Sequence, residues 1–190
     1  MRAQRPSILP EAIDATAEDL PFSDAIFDAT LATFTIHQWP NLVAGYASFI
    51  ASPPDRLSSS PAIQRPSIGF GWSTMPRVPR TEAQRYPAPA RVAELLGGTV
   101  DVRVLPVPLD CTDGFGEAYY GRRKALLDPG ARLANSAWSF VGRAVERRFE
   151  QDLRRDLESA VWDAEHGALR TLPKFEGSLR LIVADSTSSR

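Results

Sequence analysis

Residues 17–40 decide the fold, and they read AEDLPFSDAIFDATLATFTIHQWP. Turn-forming residues at 20–24 precede an apolar run at 26–36 that contains β-branched and aromatic side chains. A run of this length and composition is typical of a strand that is covered on both faces of a sheet. Apolar residues three and four positions apart follow at 41–50 and predict a helix. This stretch and the residues that follow it therefore predict one strand and one helix of an α/β fold.

The second half of the chain continues this alternation. The longest signal is at 141–162, where apolar residues recur every four positions and predict one continuous helix that ends before Gly167. An apolar run at 179–184 predicts a final strand, which we expect to close an edge of the sheet. The remaining predicted elements are helices at 90–96, 119–127 and 132–140, a strand at 100–109 and a short strand at 12–15. Alternating strands and helices predict an α/β fold with a partly parallel sheet.

Composition excludes several classes of protein. The 190 residues suffice for one domain with a buried core, and the formal net charge is −1. This balance gives no electrostatic footprint for nucleic acid or for an acidic membrane. The uncharged stretch at 29–54 is interrupted by polar residues and prolines, so we expect no membrane span. With Cys111 as the only cysteine and two histidines, we expect no disulfide, no metal site and a cytoplasmic location.

The fold-deciding stretch also carries a recognisable combination of motifs. An acidic loop at 17–19 is followed by Leu-Pro-Phe at 20–22 and by Phe-Asp at 27–28. This combination resembles the third and fourth motifs of class I S-adenosylmethionine-dependent methyltransferases of the type 11 kind, and the resemblance resumes at 80–184. It implies a Rossmann-like sheet that is mostly parallel, with an antiparallel terminal strand and helices on both faces. It also implies methyl transfer from S-adenosylmethionine to a small-molecule acceptor.

The resemblance assigns roles to two short segments. Thr16, Ala17 and Glu18 would lie beside the adenine of the cofactor, where the loop backbone and an acidic side chain would read its amino group. Thr16 stands where an aspartate is common in that family, and Glu18 can equally be an exposed loop charge. Thr33 and Phe34, near the carboxyl end of the strand, would approach the methionine part or the transferred methyl. Open α/β sheets bind their ligands at such strand ends.

The sequence suggests roles for three further residue types, and for some of them it leaves two roles open. His37 is the candidate catalytic residue, as a base near the transferred methyl, but it can equally cap the end of the strand. Tyr119 and Tyr120 can line a substrate pocket or pack in the core. Cys111 is interpreted as a small passive side chain.

The resemblance further implies an N-terminally truncated chain, because the family's glycine-rich cofactor loop would precede Met1. Residues 1–190 are then a single incomplete domain: 1–50 belong to the cofactor-binding half, 51–79 are irregular, and 80–190 form the C-terminal half. The segment 51–79 shows no strand pattern, and reading one possible coding of residues 68–76 in another frame restores a family-like sequence. We therefore hypothesise a frameshift there, and we expect this chain to bind S-adenosylmethionine weakly or not at all.

Two other classes of function remain open from the sequence. The chain can be a non-catalytic α/β remnant or interaction module, which would self-associate through an unpaired sheet edge at 26–36. It can also be an intact small α/β domain of another enzyme class.

Overall fold

The computed structural model describes residues 6–51, 56–60 and 86–185. Within these ranges the strands, in chain order, are β1 (Ala29–Thr33), β2 (Arg56–Ser60), β3 (Thr99–Val104), β4 (Val107–Pro108), β5 (Lys174–Phe175) and β6 (Arg180–Asp185). The α-helices are α1 (Leu42–Ala51), α2 (Pro89–Leu96), α3 (Pro129–Leu133), α4 (Arg143–Glu158) and α5 (Val161–His166). Short 3₁₀ helices lie at Ile36–Gln38, Gly116–Tyr119, Arg123–Leu127, Ser136–Phe140 and Gly167–Arg170.

Four of these strands form the main sheet in the order β1-β2-β6-β3. β1 and β2 are parallel, with Leu31 opposite Ser58, whereas β6 is antiparallel to both of its neighbours. β1, β2 and β3 therefore point in one direction and the final strand points in the other. β4 and β5 form a separate antiparallel pair.

This topology corrects two expectations. The sheet is not mostly parallel in the described residues, because one pairing of the main sheet is parallel and two are antiparallel. The terminal strand is antiparallel as expected, but it lies inside the sheet and closes no edge. Its residues 180–185 are all buried or half-buried, which suits a central strand. β3 alternates apolar residues with the exposed Asp101 and Arg103, which suits an edge.

The main core lies on one face of the sheet. Ala32 of β1 and Ile182 of β6 pack there against Tyr46 and Phe49 of α1 and Val92 of α2. On the outward side of β1, alternate residues are exposed, and Leu31 keeps 63% of its surface in contact with solvent. The expectation that β1 is covered on both faces is therefore wrong for the described residues.

The C-terminal helices pack on a second cluster away from the sheet. Phe149 and Leu153 of α4 are buried against Trp138 and Leu126, as the four-residue spacing predicts. The predicted single helix at 141–162 is nevertheless broken, because Ala160 adopts a left-handed conformation with φ of 57°. The predicted helices at 119–127 and 132–140 are likewise divided into 3₁₀ segments and the short α3.

The expectation of an irregular segment at 51–79 is wrong where it can be checked. Residue 51 ends α1, and β2 at 56–60 supplies a strand parallel to β1. A strand at this place removes one of the reasons for the frameshift hypothesis, namely that no strand follows α1. Residues 52–55 and 61–79 lie outside the described ranges. No helix in the described ranges is long and apolar enough to cross a membrane.

Candidate functional site

A groove of about 490 Å³ runs along β1 toward its carboxyl end. Ala17 and Thr33, which the resemblance assigns to the adenine and the methionine part of the cofactor, both line this groove. The remaining lining residues are Leu20, Phe27, Ala29, Thr30, Leu31, Ala32, Thr35, Trp39 and Phe49. The groove is thus mostly apolar, with threonine hydroxyls as its polar groups. The loop before β1 and the segment after it contribute to the same wall.

Trp39 closes the groove from the α1 side. The chain turns after β1 in the 3₁₀ helix Ile36–Gln38, and the Trp39 indole that follows packs on α1. The centroid of its ring lies 5.1 Å from that of Tyr46 and 6.2 Å from that of Phe49. Gly45 makes this approach possible, because a Cβ at that position would lie 2.6 Å from Cε3 of Trp39. Trp39 was not among the site residues predicted from the sequence, although its bulk beside a strand end is a recognisable signal.

The loop that carries Ala17 is held by its neighbours. Thr16 and Asp19 form an isolated bridge, and the Asn41 backbone N–H donates to Oε1 of Glu18 at 3.1 Å. Hydrogen bonds from the Asn41 N–H, from its own amide and from the Thr16 side chain hold the pKa of Glu18 below its ordinary value. Thr16 and Glu18 are therefore engaged with each other and with α1, and neither lines the groove.

The residue that follows β1 has an unusual backbone. Phe34 adopts φ of 51°, a left-handed conformation that is uncommon for a bulky residue. Such a conformation persists only where the surrounding structure holds it, and it is found often at functional sites. Its ring, about a third exposed, lies 5.7 Å from the ring of Phe115. Phe115 follows β4 in the chain, so two separate segments meet at the carboxyl end of β1. The sequence analysis did not single out Phe115.

His37 lies one turn further on and is half-buried. Its ring is 4.3 Å from the ring of Tyr86, and its Nε2 is 3.4 Å from Nε2 of Gln38. Tyr86 packs against both the main core and a smaller core around Val107. The structure thus brings His37 to the same strand end as Phe34 but outside the groove lining.

The contacts of the other candidate side chains indicate structural roles. Tyr120 is fully buried, and its hydroxyl donates to the Leu172 carbonyl at 2.6 Å, which favours core packing. Tyr119 is half-buried on the cluster around Trp138. Cys111 is partly buried, and its carbonyl accepts a hydrogen bond from Arg122. Across the described ranges, no group of three or more histidine, cysteine or acidic residues is placed to hold a metal ion.

The fold resembles that of a solved protein. A crystal structure at 2.40 Å resolution, described as "putative methyltransferase from antibiotic biosynthesis pathway" from Anabaena variabilis ATCC 29413, matches with a TM-score of 0.79. The match covers 90% of this chain and 72% of that one, at 19% sequence identity. No protein-family model matches the chain, and no curated protein matches it. The structural likeness shows that this chain shares the fold of that protein.

Proposed function

We propose that this chain transfers a methyl group from S-adenosylmethionine to a small-molecule acceptor. The observation that carries the proposal is the groove along β1, which Ala17 and Thr33 both line and which reaches the carboxyl end of the strand. Open α/β sheets bind ligands at that end. The methyltransferase fold makes methyl transfer the reaction that the groove serves best.

The groove residues fit parts of the cofactor. Its volume lies within the range of about 300–1,000 Å³ that small-molecule sites occupy. None of the described lining residues is a lysine or arginine, so nothing in the wall repels a positive sulfonium. The Ala17 backbone would flank the adenine, and the hydroxyls of Thr33 and Thr35 would be polar partners nearer the methyl. No carboxylate lines the described wall to bind ribose hydroxyls, and we therefore expect weak binding.

The residues after β1 would act on the acceptor. When bound, S-adenosylmethionine supplies an electrophilic methyl carbon, which bonds to the acceptor nucleophile as the bond to sulfur breaks. Phe34 and Phe115 would hold an acceptor near the strand end and exclude water, and correct placement supplies most of the rate in such transfers. His37 would take the proton that the nucleophile releases, because histidine changes protonation near neutral pH.

Ligand-observed NMR with S-adenosylhomocysteine tests the proposal, since it detects weak binding. We expect saturable contacts from the adenine and from the homocysteine methylenes. Ala17→Trp should abolish them, because the indole would fill the groove, whereas Ala144→Trp adds the same bulk on an exposed face of α4 and should change nothing. No saturable contact at millimolar ligand, or equal contact in Ala17→Trp, would reject the groove as the cofactor site.

A second candidate function is self-association through β1. Among the described residues β1 pairs only with β2, and Leu31 on it is 63% exposed. Exposed apolar edge strands pair readily with other chains. Light scattering after gel filtration should show a dimer or larger species, and Leu31→Lys should shift it to monomer. A monomer at all concentrations would exclude this function.

A further inference from the structure

We propose that Glu18 is a positioning residue that fixes the groove wall by tying its own loop to the start of α1, and that it does not read the adenine. The inference rests on the proposed function only for the identity of the groove ligand. The resemblance places this carboxylate beside the adenine, and its hydrogen bonds give it a different role.

The contact is made at a well-defined helix start. Asn41 precedes α1, and its side-chain Oδ1 accepts from the Ala44 N–H at 3.1 Å, which is the arrangement of an N-cap. The backbone N–H of the same Asn41 donates to Glu18 at 3.1 Å. The negative charge of Glu18 therefore lies at the positive end of the helix dipole, where carboxylates are stabilising.

The loop is also attached on its other side. The Leu20 N–H donates to Oγ of Ser48 on α1 at 3.3 Å. Ala17 and Leu20, the two loop residues that line the groove, therefore lie on either side of Glu18, and Leu20 is itself attached to α1. Loss of the Glu18 contact would release the Ala17 half of the wall and leave Leu20 attached.

The carboxylate's partners account for its conformation. It accepts from the Asn41 N–H, from its own amide and from the Thr16 side chain. Ala17, and not Glu18, faces the groove.

Two ligands that differ only at the adenine amino group separate positioning from direct recognition. The probes are S-adenosylhomocysteine and S-inosylhomocysteine, and the variants are Glu18→Ala, Glu18→Gln and the exposed control Glu11→Ala. We expect Glu18→Ala to weaken both ligands by one common factor of up to about five, the size typical of a surface charge contact. Glu18→Gln should restore both, since its amide oxygen can still accept from Asn41, and Glu11→Ala should leave both unchanged.

Hydrogen exchange in the ligand-free protein gives a second, independent measurement. The Asn41 amide should exchange faster in Glu18→Ala than in the wild type, in Glu18→Gln or in Glu11→Ala. Loss of discrimination between the two ligands in Glu18→Ala would overturn the inference, because it would show direct reading of the amino group. Unchanged Asn41 exchange would overturn it as well. If the wild type binds neither ligand, the proposed function fails and Asn41 exchange alone decides the role of Glu18.

Discussion

Replacing Gly45 with alanine tests how α1 and Trp39 build the groove wall. Gly45 is buried within α1, and a Cβ there would lie 2.6 Å from Cε3 and 3.2 Å from Cδ2 of the Trp39 indole. Carbon atoms in contact prefer about 3.5–4.0 Å. The added methyl therefore requires the indole to move by close to an ångström.

Two opposing effects set the size of the change. Alanine in place of glycine inside a helix stabilises by about 1 kcal/mol. Overpacking a filled core costs about 1–3 kcal/mol. The upper part of that range applies, because the rings of Tyr46 and Phe49 lie beside the indole and leave it little room to yield. We expect the free energy of unfolding to fall by about 1–2 kcal/mol.

Urea unfolding followed by circular dichroism measures this change. Ala47→Gly is the matched control, because Ala47 is exposed on the same helix and the reverse exchange there should cost about 1 kcal/mol through helix propensity alone. Because Trp39 lines the groove, Gly45→Ala should also weaken S-adenosylhomocysteine binding. If Gly45→Ala instead raises the free energy of unfolding by about 1 kcal/mol, helix propensity alone explains the change. That result would refute the packing of Trp39 on Gly45.

Three further substitutions test the cores and the helix break. Leu153→Ala should lower the free energy of unfolding by about 2–5 kcal/mol and the half-buried Leu157→Ala by clearly less; equal losses would contradict the burial of Leu153. Tyr46→Phe should preserve or raise the melting temperature, because the buried hydroxyl has no hydrogen-bond partner among the described residues, and a fall would reveal one. Ala160→Gly should stabilise by about 0.5–1 kcal/mol in urea unfolding, since glycine tolerates φ of 57°, whereas a loss would argue for one continuous helix.

Local elements were predictable because their signals are local. The predicted helix at 90–96 differs from α2 by one residue, and the four-residue ridge correctly identified Phe149 and Leu153 as buried. The break at Ala160 left no such signal, because neither glycine nor proline marks it. Sheet order was not predicted from the sequence, although the apolar residues 181–184 of β6 are typical of a central strand.

The candidate site was predictable only in part. The family resemblance pointed to Ala17 and Thr33, which share a groove, and their role in binding stays a prediction. The partner of Glu18 could not be predicted, since Asn41 is 23 residues away and uses its backbone, which no side-chain pattern encodes. Phe115 was not predicted either, because it is distant from Phe34 in the sequence and only the folded chain brings the two rings together.

The position of β6 has a consequence for biosynthesis. β6 comes last along the described chain, yet it lies between β2 and β3, which are both made earlier. While the ribosome is translating residues before 180, the nascent chain therefore holds two strands that each lack this neighbour. Open strand edges recruit other chains, and pairings between distant segments form slowly. In the interval between synthesis of β3 and release of β6, the edges of β2 and β3 that β6 will occupy are thus open to pairing with other chains.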